Sequence, residues 1–163
     1  MKKLYLVRHA KSSWEDESLS DEQRPLNKRG RKSVLDMGRR LAVAGIQVDL
    51  IISSPALRAL TTARSLASAI GYDAESIRQN KQLYFDGQSA MLKVIQKTPS
   101  EIQSLMLVGH NPDMTALLNL LCGYQTANMP TCAIATIQFK SGWSDVTRES
   151  GVLLDYDFPK NSS

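Results

Sequence analysis

The chain has 163 residues, 42% hydrophobic and 22% charged, with a net charge of +4, which suits a single domain with its own core. No apolar run approaches the roughly 18 residues of a membrane span, and Leu4–Val7, behind Lys2 and Lys3, is too short for a signal-peptide core; a cytoplasmic protein with no membrane partner is expected. Cys122 and Cys132 are too few for a disulfide framework or a zinc site, so two buried reduced thiols are expected.

In chain order, residues 3–8 predict a buried strand, and residues 12–26, "SSWEDESLSDEQRPL", a polar loop. Asn27 is placed to cap a helix running to about Ala44 and ended by Gly45. "VDLIIS" predicts the next strand; Ser54 as cap and Pro55 at the first helical position then start a helix to about Ile70, stopped by Gly71. A short strand is expected within "SIRQNKQLYF" and a helix over 88–97, bounded by Gly87 and Pro99. "SLMLVG" is a further strand, after which Asn111 and Pro112 repeat the cap-plus-proline start of a helix ending at Gly123. "CAIATIQF" and "GVLLDYDF" read as late antiparallel strands. The whole predicts one α/β domain over 1–159, a three-layer α/β/α sandwich whose central sheet is mostly parallel, followed by a disordered tail at 160–163.

Charge is unevenly spread: residues 1–81 carry +6 and residues 82–163 carry −2. A basic first half suits an anionic ligand or an acidic partner, although most of the cations in "NKRGRKSVLDMGRR" alternate with apolar helix positions and read as a solvated face. The basic stretch lacks interleaved aromatics, so nucleic acid is not expected as a partner.

The two histidines share one setting. "KKLYLVRHAKSSW" and "SLMLVGHNP" are both apolar runs ending in histidine, His9 and His110. In a sheet of this kind ligands sit beyond the carboxyl ends of the strands, so both rings stand on one rim and meet if their strands are neighbours. Arg58, in "SSPALRALTTA", falls in the first turn of a helix that follows a strand, and "HNPDMT" starts a second helix. Helix starts attract anions, and Arg8 and Arg58 offer planar forks suited to phosphate oxygens. The expected ligand is a phosphoryl group held without metal. An unprotonated imidazole, kept so by neighbouring guanidinium charge, can attack phosphorus.

"LVRHAKS", "SSPALRALTTA" and "LVGHNPDM" resemble, in order and spacing, the three signature segments of the histidine phosphatase superfamily, the group that includes the cofactor-dependent phosphoglycerate mutases. "RHAKSSW", "RPLNKRG" and "GHNP" are similar to its SixA-type phosphohistidine phosphatases. The resemblance, over Leu4 to Pro159, implies a phosphoglycerate mutase-like fold with His9 as nucleophile and Arg8, Arg58 and His110 as catalytic partners holding the phosphoryl oxygens. Asn111, Ser12 and Lys11 are further phosphate-binding candidates; for Lys11 a structural ion pair is an equal alternative. Ala10, Lys11, Glu15 and Thr61 depart from the mutase branch and weigh against mutase activity. Asp86, in "LYFDGQS", is the candidate general acid, with Tyr84 behind it and a plain turn residue before Gly87 as the competing reading of Asp86. Trp14 lines the cleft mouth or packs under the loop; Trp143 packs near the late hairpin.

The function expected is a metal-independent, cofactor-free phosphatase that hydrolyses phosphohistidine on a signalling protein, such as a histidine phosphotransfer domain, through phospho-His9. The chain is expected to be a monomer. A small-molecule phosphomonoesterase acting on a sugar phosphate and a non-catalytic phosphoprotein-binding module are the alternatives. Short connections, with residues 12–26 as the one sizeable candidate lid, favour a substrate presented on a protein surface.

Overall fold

The computed structural model describes residues 1–123 and 125–161. Ten principal elements follow one another: β1 (Lys2–Arg8), α1 (Lys28–Val43), β2 (Leu50–Ser53), α2 (Leu57–Ile70), β3 (Arg78–Gln79), α3 (Gln88–Gln96), β4 (Ser104–Gly109), α4 (Asp113–Cys122), β5 (Ile134–Phe139) and β6 (Gly151–Asp157). The sheet order is β3-β2-β4-β1-β5-β6. Strands β3, β2, β4 and β1 pair in parallel, whereas β5 pairs antiparallel with both β1 and β6. The mostly parallel sheet with antiparallel late pairings matches the sequence expectation.

Alternation along the central strands builds two cores. Leu4 and Leu6 of β1, Leu50 and Ile52 of β2, and Leu105 and Leu107 of β4 face α3 and α4, where Met91, Ile95, Leu117 and Leu121 are buried. Tyr5, Val7, Ile51, Met106 and Val108 face the other way, onto Val34 and Met37 of α1 and Ala63 and Leu66 of α2. Helices therefore cover both faces of the sheet. Trp143 is buried against Phe139 and donates to the Ile102 carbonyl at 2.6 Å, beside the late hairpin as expected.

The start of α1 fixes the chain leaving β1. Asn27 Oδ1 accepts from the Gly30 amide at 2.7 Å, and the Asn27 amide donates to the Lys11 carbonyl at 3.0 Å. A Cβ on Gly30 would stand 2.1 Å from that same Lys11 oxygen, so only glycine permits the approach.

Two helix starts differ from expectation. Helix α2 begins at Leu57 with Ala56 as its cap, so Pro55 is not its first helical residue; the Ser54 amide instead continues the sheet by donating to Val108, and its hydroxyl serves the site. Helix α4 begins at Asp113 with Pro112 as its cap, after a cis Asn111–Pro112 peptide bond. Asn111 Oδ1 still caps, one residue further along, by accepting from the Thr115 amide at 3.1 Å. The strand expected in "SIRQNKQLYF" is confined to Arg78–Gln79. Pro159–Asn161 form a short 3-10 turn; of the expected tail 160–163, Ser162 and Ser163 lie outside the described residues. Among the described residues no helix is long and apolar enough to cross a membrane.

Candidate active site

Strands β1 and β4 are paired in register, Arg8 opposite Gly109, and the His9 amide donates to the Gly109 carbonyl at 3.0 Å. The residues just past each strand end therefore lie side by side: the His9 and His110 rings have centroids 5.0 Å apart and planes inclined by 52°. Strand β2, on the other side of β4, feeds α2 and brings Arg58 to the same rim.

His9 is 8% exposed. Its Nδ1 donates to the Ala10 carbonyl at 2.7 Å, which leaves Nε2 with the free lone pair. Burial lowers the ring's pKa to about 4, assisted by the charges of Arg58, Arg8 and Arg24, while the bond to Ala10 works the other way. The imidazole is therefore neutral at physiological pH. The next turn of chain is pinned in place: the Ala10 amide donates to Thr62 Oγ1 at 3.0 Å, and that hydroxyl donates to the Arg58 carbonyl at 2.8 Å.

His110 is 1% exposed, and burial, then the neighbouring His9 and Arg58, lower its pKa to about 3. Its Nε2 lies 2.8 Å from Ser54 Oγ, which already accepts from the Ala56 amide at 3.2 Å. With the Ser54 hydroxyl as donor to Nε2, the ring proton sits on Nδ1. Among the described residues, His110 Nδ1 and Arg8 Nε are buried without a hydrogen-bond partner. Buried orphan donors are costly. Two of them on the same rim as an unprotonated imidazole nitrogen suit an oxyanion. Arg8 itself is tethered by its Nη1, which donates to the Met129 carbonyl at 2.7 Å.

A carboxylate from the loop ties this floor together. Arg58, 3% exposed, donates through Nη1 to the Asp21 carbonyl at 2.6 Å and through Nη2 to Asp21 Oδ2 at 2.9 Å. The Tyr84 hydroxyl donates to the same Oδ2 at 2.5 Å, and Arg24 Nη1 to Oδ1 at 3.0 Å. Burial alone would raise the Asp21 carboxyl, but the bonds from Tyr84 and Arg58 outweigh it and hold the pKa at about 2. Tyr84 is pushed up to about 12, by burial and by Asp21. Arg24 in turn donates to Ser12 Oγ at 2.5 Å and to the Ser13 carbonyl at 3.1 Å, and its guanidinium carbon lies 3.1 Å from the centre of the Trp14 ring.

These groups border a cleft of about 510 Å³. Arg8, His9, Arg58, Lys11 and Ser12 line it, as does Trp14 at its mouth. His110 sits behind His9 with the Phe85 ring laid over it, centroids 4.6 Å apart. Asn111 is engaged elsewhere: its Nδ2 donates to Asn128 Oδ1 at 2.8 Å and to the Met129 carbonyl at 3.1 Å, and its Oδ1 caps α4. Asp86 is exposed and does not line the cleft. Sequence reading missed Asp21, Arg24, Ser54, Thr62 and Phe85 as parts of this site. Arg24, Ser54, Thr62 and Phe85 lay inside the quoted segments "RPLNKRG", "SSPALRALTTA" and "LYFDGQS"; no local pattern marks Asp21. Among the described residues no three His, Cys, Asp or Glu side chains cluster as metal ligands.

A sequence profile of the histidine phosphatase superfamily (branch 1) matches residues 4–84. An uncharacterized chloroplastic protein of Arabidopsis thaliana is 32% identical over 160 residues, covering 92% of this chain and 72% of the relative. Among solved structures, a candidate SixA phosphohistidine phosphatase from Agrobacterium tumefaciens is 29% identical with a TM-score of 0.81, over 97% of this chain and 98% of that one. A protein histidine phosphatase SixA complexed with tungstate shares the fold at 22% identity and a TM-score of 0.83, over 99% of both chains. More distant structures with this fold include a mycobacterial glucosyl-3-phosphoglycerate phosphatase. The chain therefore belongs to the histidine phosphatase superfamily, as a phosphatase of the SixA type.

Proposed function

We propose that the protein removes phosphoryl groups from phosphohistidine on a signalling protein, such as a histidine phosphotransfer domain, by way of a phospho-His9 intermediate and without metal or cofactor. The observation that carries this reading is the free lone pair of His9 Nε2 on the same strand-end rim as two buried side-chain nitrogens without partners, Arg8 Nε and His110 Nδ1. In the first step Nε2 forms a bond to phosphorus and the P–N bond of the substrate breaks, its electron pair returning to the leaving imidazole. The far nitrogen of that imidazole takes its proton from solvent. In the second step water attacks phosphorus, the P–Nε2 bond breaks with its electrons returning to His9, and both hydrogens of the water depart with the phosphate. Nδ1–H keeps its bond to Ala10 throughout. Arg8, Arg58 and His110 meet the charge that builds on the equatorial oxygens, the main demand of phosphoryl transfer.

The acid–base inventory favours this leaving group. Two carboxylates border the cleft, Glu15 on the exposed loop and Asp21 beside Arg58, and Asp21 is held ionised with a pKa of about 2 and has no proton to give. The Tyr84 proton is engaged by Asp21. Phosphoimidazole can lose its ring after protonation by solvent, whereas a sugar alkoxide needs a proton delivered by the enzyme. The candidate acid Asp86 stands outside the cleft lining. Burial also pushes the Cys132 thiol up to about 12, an inert reduced thiol that suits the cytoplasm.

The test is a panel comparing a phosphohistidine protein, a phosphoserine peptide and common sugar phosphates. Expected is a kcat/KM on phosphohistidine well above the others and insensitive to Asp86→Asn. Comparable turnover of a sugar phosphate, abolished by Asp86→Asn, overturns the reading in favour of a small-molecule phosphomonoesterase. Tight phosphoprotein binding with no phosphate release overturns it in favour of a binding module.

A further inference from the structure

Phe85 holds a conformation that needs an explanation. Its φ is 59°, in the left-handed region that bulky side chains avoid. The surrounding chain enforces it: the Tyr84 amide donates to Lys81 at 2.9 Å, and the Gly87 amide to Asp113 Oδ2 at 2.9 Å. The outcome is a phenyl ring 47% exposed to solvent, yet lining the cleft. One face lies on His110, 4.6 Å between centroids and 30° between planes, and Tyr84 meets it edge-on at 4.9 Å. A strained backbone that holds a large apolar ring half in water, at the mouth of a cationic cleft, gains nothing for the core.

Resting on the proposed function, we infer that Phe85 forms the subsite for the leaving group and selects a flat imidazole ring there. In-line attack by His9 places the departing nitrogen on the far side of phosphorus from Nε2. His9 is at the buried floor, so the leaving group projects toward the mouth, where Phe85 stands. The ring must be protonated to depart, and an imidazolium is attracted to an aromatic face. The contact therefore strengthens as the proton arrives, which is the condition for stabilising the transition state over the ground state. Trp14 also lines the mouth and is 74% exposed, but its ring is already engaged by the Arg24 guanidinium, which repels a second cation. Phe85 rests instead on a neutral histidine.

The experiment compares phosphoimidazole with phosphoramidate, which has the same P–N bond but no ring, for the wild type, Phe85→Ala and Phe85→Leu. In both variants the ratio of kcat/KM for phosphoimidazole over phosphoramidate falls by about tenfold, the scale of one aromatic or cation–π contact. Phe85→Leu keeps an apolar side chain over His110, so its ratio isolates the aromatic face from packing. An unchanged ratio in both variants, with the wild type active on both compounds, overturns this inference alone. A wild type inactive on both compounds and on a phosphohistidine protein overturns the parent reading, and this one with it.

Discussion

The floor and the rim of the cleft are built by different means. On the floor, His9, His110 and Arg58 are 8%, 1% and 3% exposed, and each follows directly from a strand end or a helix start. On the rim, Asp21, Arg24, Trp14 and Phe85 sit on the long loop or a short turn, and their order comes from contacts with one another and with the floor. The floor sets the protonation state and the orientation of the His9 ring. The rim fixes the Arg58 fork and borders the cleft. The two meet at Asp21, the loop carboxylate that orients Arg58.

Removing the floor should have the largest effect. His9→Ala is expected to lower kcat by about a thousandfold or more, since it deletes the covalent route; near-normal turnover would break the distinction at once. Next, His110→Ala or Arg58→Ala should each cost about 10²–10³ in kcat, the scale of losing one preorganised donor, as measured by steady-state kinetics. At the junction, Asp21→Asn keeps the shape but weakens its hold on Arg58 and Arg24. About a tenfold fall in kcat/KM is expected, as for a slight misplacement of a catalytic group. A loss as large as that of Arg58→Ala would assign Asp21 to the floor.

Most of the floor was legible in the sequence because its residues follow rules of local position. A histidine after an apolar strand and an arginine in a first helical turn both declare themselves, and neighbouring strands then bring them together. The helix starts at Ser54 and Asn111 were placed too early: the Ser54 hydroxyl is spent on His110, and Asn111 caps α4 from one residue before Pro112. The rim was legible only at Trp14, one reading of which put it at the cleft mouth. Asp21 meets Arg58 across 37 residues, and Trp14 meets Arg24 only because the loop folds back through the Ser12–Leu26 bridge. Nor does any sequence pattern announce that Phe85 will adopt a positive φ.

The smallest expected effects concern stability and metal. His9 and His110 titrate at about 4 and about 3 in the folded chain, below the ordinary value of 6.5. The unfolded chain therefore binds protons that the folded chain refuses. Stability is fully present above pH 6.5 and declines as pH falls toward 4. Urea titrations should show this slope, and His110→Asn should reduce it; a midpoint flat from pH 7 to 4.5 would contradict the assigned burial of the rings. Excess chelator should leave the rate unchanged.

The most direct test of the central claim is rapid-quench trapping with 32P-labelled phosphohistidine protein, stopped in alkali, where a phosphoimidazole survives. The account predicts transient label on the wild-type chain, located at His9 and absent from His9→Ala. Phosphate release by the wild type with no labelled intermediate, or label that persists in His9→Ala, would contradict it.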